Sequence, residues 1–196
     1  MSGSQPNCDE KLGKSNEGEN AEISPGMLDA KLWGNPCPFT FRINYLALLY
    51  NTPLYNWVHD TYGLKRPEYV VIYSLALAQG GSASDISRTS GFPKNTLSRA
   101  VKRLELMGLI EARVRAPGGG RKQALQLSPK GLSLFNATRP VFEAQEQRML
   151  KALSDGERQM LSELMTKVVL GAENWAGELP QEALAATPLN YEGQPQ

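Results

Sequence analysis

Asn95, Ser98, Arg99 and Lys102 stand at i, i+3, i+4 and i+7, the spacing that gathers side chains on one face of a helix. An amide, a hydroxyl, a guanidinium and an ammonium in one row make and break no covalent bonds, but they suit a polyanion that displays hydrogen-bonding edges. Asn95, Ser98 and Arg99 are the candidate readers of base edges, because one good bidentate pair is worth about 1 to 3 kcal/mol of discrimination. Arg99 is the strongest of them, and Thr96 belongs to the same first turns. Lys94, Lys102, Arg103 and Arg113 suit phosphates, which set affinity and register without carrying base identity. Arg103 has a second reading, an ordinary surface pair with Glu105 or Glu111.

Residues 117–122 read PGGGRK, three glycines and two cations between stretches of strand periodicity. Glycine triplets pack nothing and are costly to order, so they fit a hairpin tip that must turn with positive φ or lie close to another backbone. Arg121 at such a tip suits a narrow minor groove, where the negative potential is strongest, and Lys122 suits a neighbouring phosphate. The plain alternative is an exposed hairpin cation with no partner.

Charge distribution points the same way. The 196-residue chain has a formal net charge of only +1. Residues 63–122, however, carry eleven basic groups against four acidic ones, while residues 1–38 and 130–196 are each net acidic by three. A basic module between acidic flanks is either a solvated face or a nucleic-acid footprint. Two cysteines far apart and one histidine give neither a zinc spacing nor a disulfide framework, so no metal and no cofactor is expected. No nucleophile–base pair or phosphate loop is present, so the chain is not expected to be an enzyme. The first twenty residues are polar and acidic, and the longest apolar run is ten residues. A cytoplasmic protein without a membrane span is expected.

The elements that must position these residues follow from periodicity and punctuation. With 41% hydrophobic residues the chain can bury one core of ordinary size. Residues 39–59 have helical spacing, with Pro53 expected to kink the helix or start a second one. Pro67 opens a helix of about three turns that Gly80 and Gly81 close. Ser82 and Asp85 resemble a capping box for a short helix stopped by Gly91. Pro93 opens the next helix, whose Leu97, Ala100, Val101 and Leu104 form an apolar stripe ended by Gly108. Residues 110–116 and 122–128 alternate as strands of a hairpin. Ser128–Pro129 caps a long helix past Phe135, Phe142 and Met149, and Ser154 with Glu157 caps a last one carrying Leu161, Leu164, Met165 and Val168.

That order describes a winged helix-turn-helix: mainly α with a small β-hairpin wing. Residues 39–176 resemble the MarR family of bacterial transcription regulators. The resemblance rests on SASDISRTSGFPKNTLSRAVKRLELMGLIEA, a wing, and LQLSPKGLSLF. It departs from the family pattern where Gly119 replaces an acidic wing residue and Pro93 replaces a Ser or Thr cap. The expected organisation is a flexible extension over 1–36 and a MarR-like domain over 37–177, followed by a C-terminal tail over 178–196. Within the domain, 63–128 form the winged helix-turn-helix head, and 38–62 with 129–177 form the dimerisation helices.

The resemblance implies a homodimer on a pseudo-palindromic double-stranded operator, with half-sites near 10 base pairs apart. It also implies a repressor released by a small aromatic or heteroaromatic carboxylate. Phe41, Arg42, Tyr45, Trp57, His59, Tyr69 and Tyr73 offer stacking faces, a carboxylate partner and a polar anchor for such an acid; aromatics at helical spacing also serve simply as core. Two alternatives stay open. One is redox sensing through Cys37, placed near the start of the first long helix. The other is a winged-helix module that binds protein instead of DNA.

Overall fold

The computed structural model describes residues 25–112 and 124–186. The chain divides into two units, Met1–Leu49 and Tyr50–Gln196, each with its own internal packing. The smaller holds helix α1, Pro25–Trp33, and the first part of helix α2, Pro38–Tyr62. Helix α1 lies in the stretch expected to be a flexible extension. Pro25 opens it at a position where the missing N–H is no loss. Arg42 closes it, donating from Nη2 to the carbonyl of Leu32 at 2.9 Å and lying 5.6 Å from the Trp33 ring. A guanidinium on the last turn satisfies an orphan carbonyl and complements the negative helix end.

Pro53 starts no second helix, since α2 runs through it. The ring removes one intrahelical hydrogen bond and sits exposed on the helix surface, so the helix loses a bond without burying an orphan group.

The larger unit continues with α3 (Arg66–Leu77), α4 (Ala83–Ser90), α5 (Lys94–Leu106), strands β1 (Ile110–Ala112) and β2 (Leu125–Leu127), α6 (Pro129–Met149), α7 (Asp155–Leu170), a 3-10 turn (Gly171–Asn174) and a short α8 (Gln181–Ala185). The expected tail thus begins with a helical turn. The boundaries follow local chemistry. Glu68, at the third position of α3, accepts the Lys65 N–H at 2.7 Å. The Ser82 hydroxyl accepts the Asp85 N–H at 3.2 Å, and Gly91 stops α4 at φ 72°. Ser154 and Glu157 form the full reciprocal box on α7, which satisfies two orphan donors at once.

The strands pair antiparallel with Ile110 opposite Leu127 and Ala112 opposite Leu125. Gly81 adds a bridge to Leu125 on the other edge, through bonds of 2.8 and 3.0 Å. The core gathers Leu97, Ala100 and Leu104 of α5 with Tyr69, Val71, Ile72 and Leu75 of α3, with Leu109, and with Ile110 and Leu125 of the sheet. Helix α6 enters through a close approach: a Cβ on Gly131 would lie 2.0 Å from the Leu109 carbonyl oxygen, so only glycine fits there. Helix α7 buries none of its residues.

Candidate nucleic-acid interface

Burial of its apolar stripe sets which side of α5 faces the core and which side chains face outward. Leu97 and Leu104 are fully buried and Ala100 nearly so. Lys94, Asn95, Ser98, Arg99 and Lys102 are all exposed, while Thr96 is half-buried on the shoulder of the helix. At 100° per residue, Asn95, Arg99 and Lys102 lie opposite the buried stripe. Among the described residues, Lys94, Arg99 and Lys102 have no acidic partner. Ionised groups left unpaired on a rigid face hold a counter-charge site open.

Two of the polar groups have local duties. Ser98 donates its hydroxyl to the Lys94 carbonyl at 2.8 Å, which leaves it only acceptor capacity for a further partner. Asn95 Oδ1 accepts the Thr96 N–H at 2.8 Å, supplying on the first turn what Pro93, the N-cap residue, lacks in a side-chain cap. Its amide N–H groups remain the donors. The turn before α5 is held by Ser87, which donates to the Phe92 carbonyl at 2.8 Å. Arg66 reinforces it, 5.8 Å from the Phe92 ring and 5.0 Å from the Tyr55 ring.

Arg103 departs from expectation. It pairs with neither Glu105 nor Glu111; its guanidinium is bonded to groups of α3 and the end of α2. Nη1 donates to both oxygens of Glu68 at 2.8 and 3.0 Å, and Nη2 donates to the Gly63 carbonyl at 3.0 Å. The Glu68 side chain is only 7% exposed and Arg103 44%. A buried carboxylate must be paired or neutralised, so this pair is built into the fold. Its one sequence signal is an acidic residue at the third position of a helix. Leu106, 89% exposed on the same face as Arg99, also escaped the sequence reading. Arg113, Arg121 and Lys122 lie outside the described residues.

The seven candidate effector residues are divided between the two units. In the smaller unit, Phe41 and Tyr45 stack at 5.5 Å and line a groove of about 320 Å³ with Met27, Leu28, Lys31, Asn44 and Leu48. Arg42 is occupied by the end of α1. In the larger unit, Tyr69 is wholly buried, stacked on Phe142 at 5.0 Å and bonded to Thr138 Oγ1 at 2.6 Å. It is a core residue in this structure. Burial pushes its hydroxyl up to about 12. Trp57 borders a cleft of about 230 Å³ between α2 and α6, Tyr73 borders a separate one of about 520 Å³ between α3 and α4, and His59 is exposed on the last turns of α2. Cys37 is exposed just before α2, its N–H donating to Asn35 Oδ1 at 2.8 Å. Among the described residues no acidic, histidine or cysteine cluster could hold a metal, and no helix is long and apolar enough to cross a membrane.

An amphipathic α5 seated on α3 and α4, with a two-stranded sheet directly after it, defines a winged helix-turn-helix protein. Residues 62–122 match the model of the MarR family. The transcriptional regulator HosA of Escherichia coli O111:H- is 24% identical over 124 residues, covering 63% of this chain and 91% of its own. A MarR/EmrR family transcriptional regulator from Acinetobacter sp. ADP1 superposes with a TM-score of 0.61 at 25% identity, over 69% of this chain and 95% of its own. A mutant of Escherichia coli MarR, solved in complex with operator DNA, superposes with a TM-score of 0.56 at 18% identity, over 72% and 97% of the two chains. Over residues 62–122 the chain is thus similar to the MarR family of transcriptional regulators, and its fold is that of the solved MarR-family structures.

Proposed function

We propose that this regulator is a sequence-specific repressor. It binds a pseudo-palindromic operator as a homodimer and leaves it when a small aromatic or heteroaromatic carboxylate binds. The observation that carries the DNA reading is the outward face of α5, where Lys94, Asn95, Arg99 and Lys102 are exposed without an acidic partner among the described residues. Arg99 and Asn95 read bases; Lys94 and Lys102 meet phosphates. Arg113, Arg121 and Lys122 extend the contact along the wing.

Selection of duplexes from random DNA, followed by affinity measurement in rising salt, tests this. Contact with six to ten phosphates lowers affinity by about 10³ to 10⁵ between 50 and 200 mM salt. A protein-binding head has no such dependence on duplex DNA, so a flat salt profile would reject the DNA reading.

For the effector, the Phe41–Tyr45 groove is the site the geometry favours. Its volume suits a small ligand, the stacked rings give an aromatic face, and Lys31, 5.9 Å from the Phe41 ring, supplies a cation for a carboxylate in place of the engaged Arg42. A panel of hydroxylated aromatic acids is expected to raise the melting temperature and release the selected duplex, and Lys31→Ala is expected to abolish both. An unchanged response in Lys31→Ala would move the site elsewhere, and no response to any acid, with operator binding intact, would end the effector reading.

A further inference from the structure

A helix that reads base edges must be held at a fixed angle, since a rotation of α5 that moves Arg99 by an ångström breaks a bidentate bond while leaving long, mobile lysines within reach of phosphates. Resting on the reading of α5 as the DNA-reading helix, we infer that Arg103 is a positioning residue for DNA recognition: its links to Glu68 and Gly63 set the pose of α5.

Arg103 lies on the shoulder of α5, between the buried stripe and the outward face. From there its guanidinium spans to two other elements. Glu68, in the first turn of α3, lies 35 residues away and receives Nη1 on both carboxylate oxygens. The same carboxylate accepts the Lys65 N–H, so it is fixed before Arg103 arrives. Gly63 follows the last residue of α2, at φ 66°, and its carbonyl takes Nη2. One planar group therefore ties the C-terminal half of α5 to the start of α3 and the end of α2. The fork has the rigidity for this and an ammonium does not. Burial of Leu97 and Leu104 in the core sets the inward side of α5, and the polar brace adds a directional tie, since hydrogen bonds weaken steeply with angle where apolar contact is non-directional. With both its terminal nitrogens engaged inside the chain, Arg103 is a poor phosphate ligand.

The test compares wild type with Arg103→Lys, Glu68→Gln and Glu68→Gln/Arg103→Gln, each checked for folding by thermal melt. Affinities are taken for the selected operator and for a random duplex across a salt series. Glu68→Gln keeps an acceptor for the Lys65 N–H, and the double variant leaves no stranded buried charge. All three variants are expected to lose about tenfold or more in the operator-to-random ratio, the scale of one bidentate base contact, with the slope against salt unchanged. The double variant should be no worse than Glu68→Gln alone. A phosphate contact would behave otherwise: Arg103→Lys would act like wild type, Glu68→Gln would be silent, and the double variant would lower the slope by about one unit. Either that pattern or a lowered melting temperature with an unchanged specificity ratio would overturn the inference. Absence of salt-dependent duplex binding in the wild type is a different failure, removing the DNA reading on which this one rests.

Discussion

Arg99 and Arg103 are four residues apart on one helix, yet Arg99 is exposed without an acidic partner among the described residues and Arg103 is bonded to Glu68. Arg99→Ala is expected to cost about 1 to 3 kcal/mol at a single base pair and little on random duplexes. Lys102→Ala is expected to weaken all duplexes alike and lower the salt slope by about one unit. Competition binding against a panel of single-base operator variants separates the two, and equal losses on specific and random DNA for Arg99→Ala would remove it as a base reader. The exposure of Arg99 was legible because helical period fixes it opposite Leu97 and Ala100. The commitment of Arg103 was not, since its partners lie 35 and 40 residues away in sequence and periodicity says nothing of long-range pairs. Tyr69 went the same way: an aromatic at helical spacing fits a pocket wall or a core equally well until the neighbouring Phe142 and Thr138 are in place. Its burial has a measurable sign. Tyr69 and Tyr50 hold their protons up to about 12, against 10.0 in the unfolded chain, chiefly through desolvation. The raised values stabilise the fold fully below pH 10, and this contribution is lost as pH rises from 10 to 12. Urea midpoints at pH 8, 10 and 11 are expected to fall for the wild type and to fall less steeply for Tyr69→Phe. That variant starts lower by roughly 0.5 to 1.5 kcal/mol for the missing Thr138 bond, and parallel pH profiles would show that Tyr69 ionisation does not matter.

Caps and glycines are where the sequence spoke most clearly about elements. Ser82, Gly91, Ser128 and Ser154 all sit at the helix ends their types demand, because a cap is a contact between residues three apart. Helix α1 was not legible, for its ends are set by Pro25 and by Arg42 reaching back to Leu32, and nine residues are too few for a convincing period. The unbroken course of α2 through Pro53 was hidden too, since proline at an exposed position costs a hydrogen bond without dictating a break. Two glycines turn these arguments into opposite expectations. Gly131→Ala would place a Cβ 2.0 Å from the Leu109 carbonyl oxygen, a backbone atom held by its own bond from the Ser128 N–H at 3.1 Å. A loss of about 1 to 3 kcal/mol is expected, the usual scale of overpacking. Gly156, in the first turn of α7, has nothing within 4 Å of where a Cβ would stand. Gly156→Ala should therefore stabilise by roughly 0.5 to 1 kcal/mol through helix propensity and lower unfolded-state entropy. Denaturant melts of both variants check the pair, and a destabilised Gly156→Ala would mean that α7 meets a surface outside this chain at that point.

Helix α7 raises that question for the whole molecule, because a sixteen-residue helix with no buried residue draws little apolar support from the described residues. Met160, Leu161, Leu164 and Val168 are 63, 42, 53 and 41% exposed, and they recur at the spacing of a single apolar stripe. Isolated helices of this length are marginal in water, and contiguous exposed apolar stripes on soluble proteins mark interaction surfaces. The stripe was readable in the sequence; what covers it was not, since amphipathicity is the same whether the apolar face meets its own chain or another. Under the proposed function, a second copy is the occupant expected. One head reads one half-site, and two heads tied together convert the second contact into an intramolecular one, which raises affinity by about 10² to 10⁴ without any new contact. Leu164→Glu places a charge in the middle of the stripe and, being exposed in the single chain, disturbs none of its core. The expected outcome is a protein of half the wild-type mass by light scattering, with helical content reduced only at α7. Its affinity for the two-half-site operator should fall toward that for a single half-site, while wild-type and variant affinities for an isolated half-site stay alike. A variant that remained a dimer, or that lost isolated half-site binding to the same extent, would show that α7 serves something other than pairing two DNA heads.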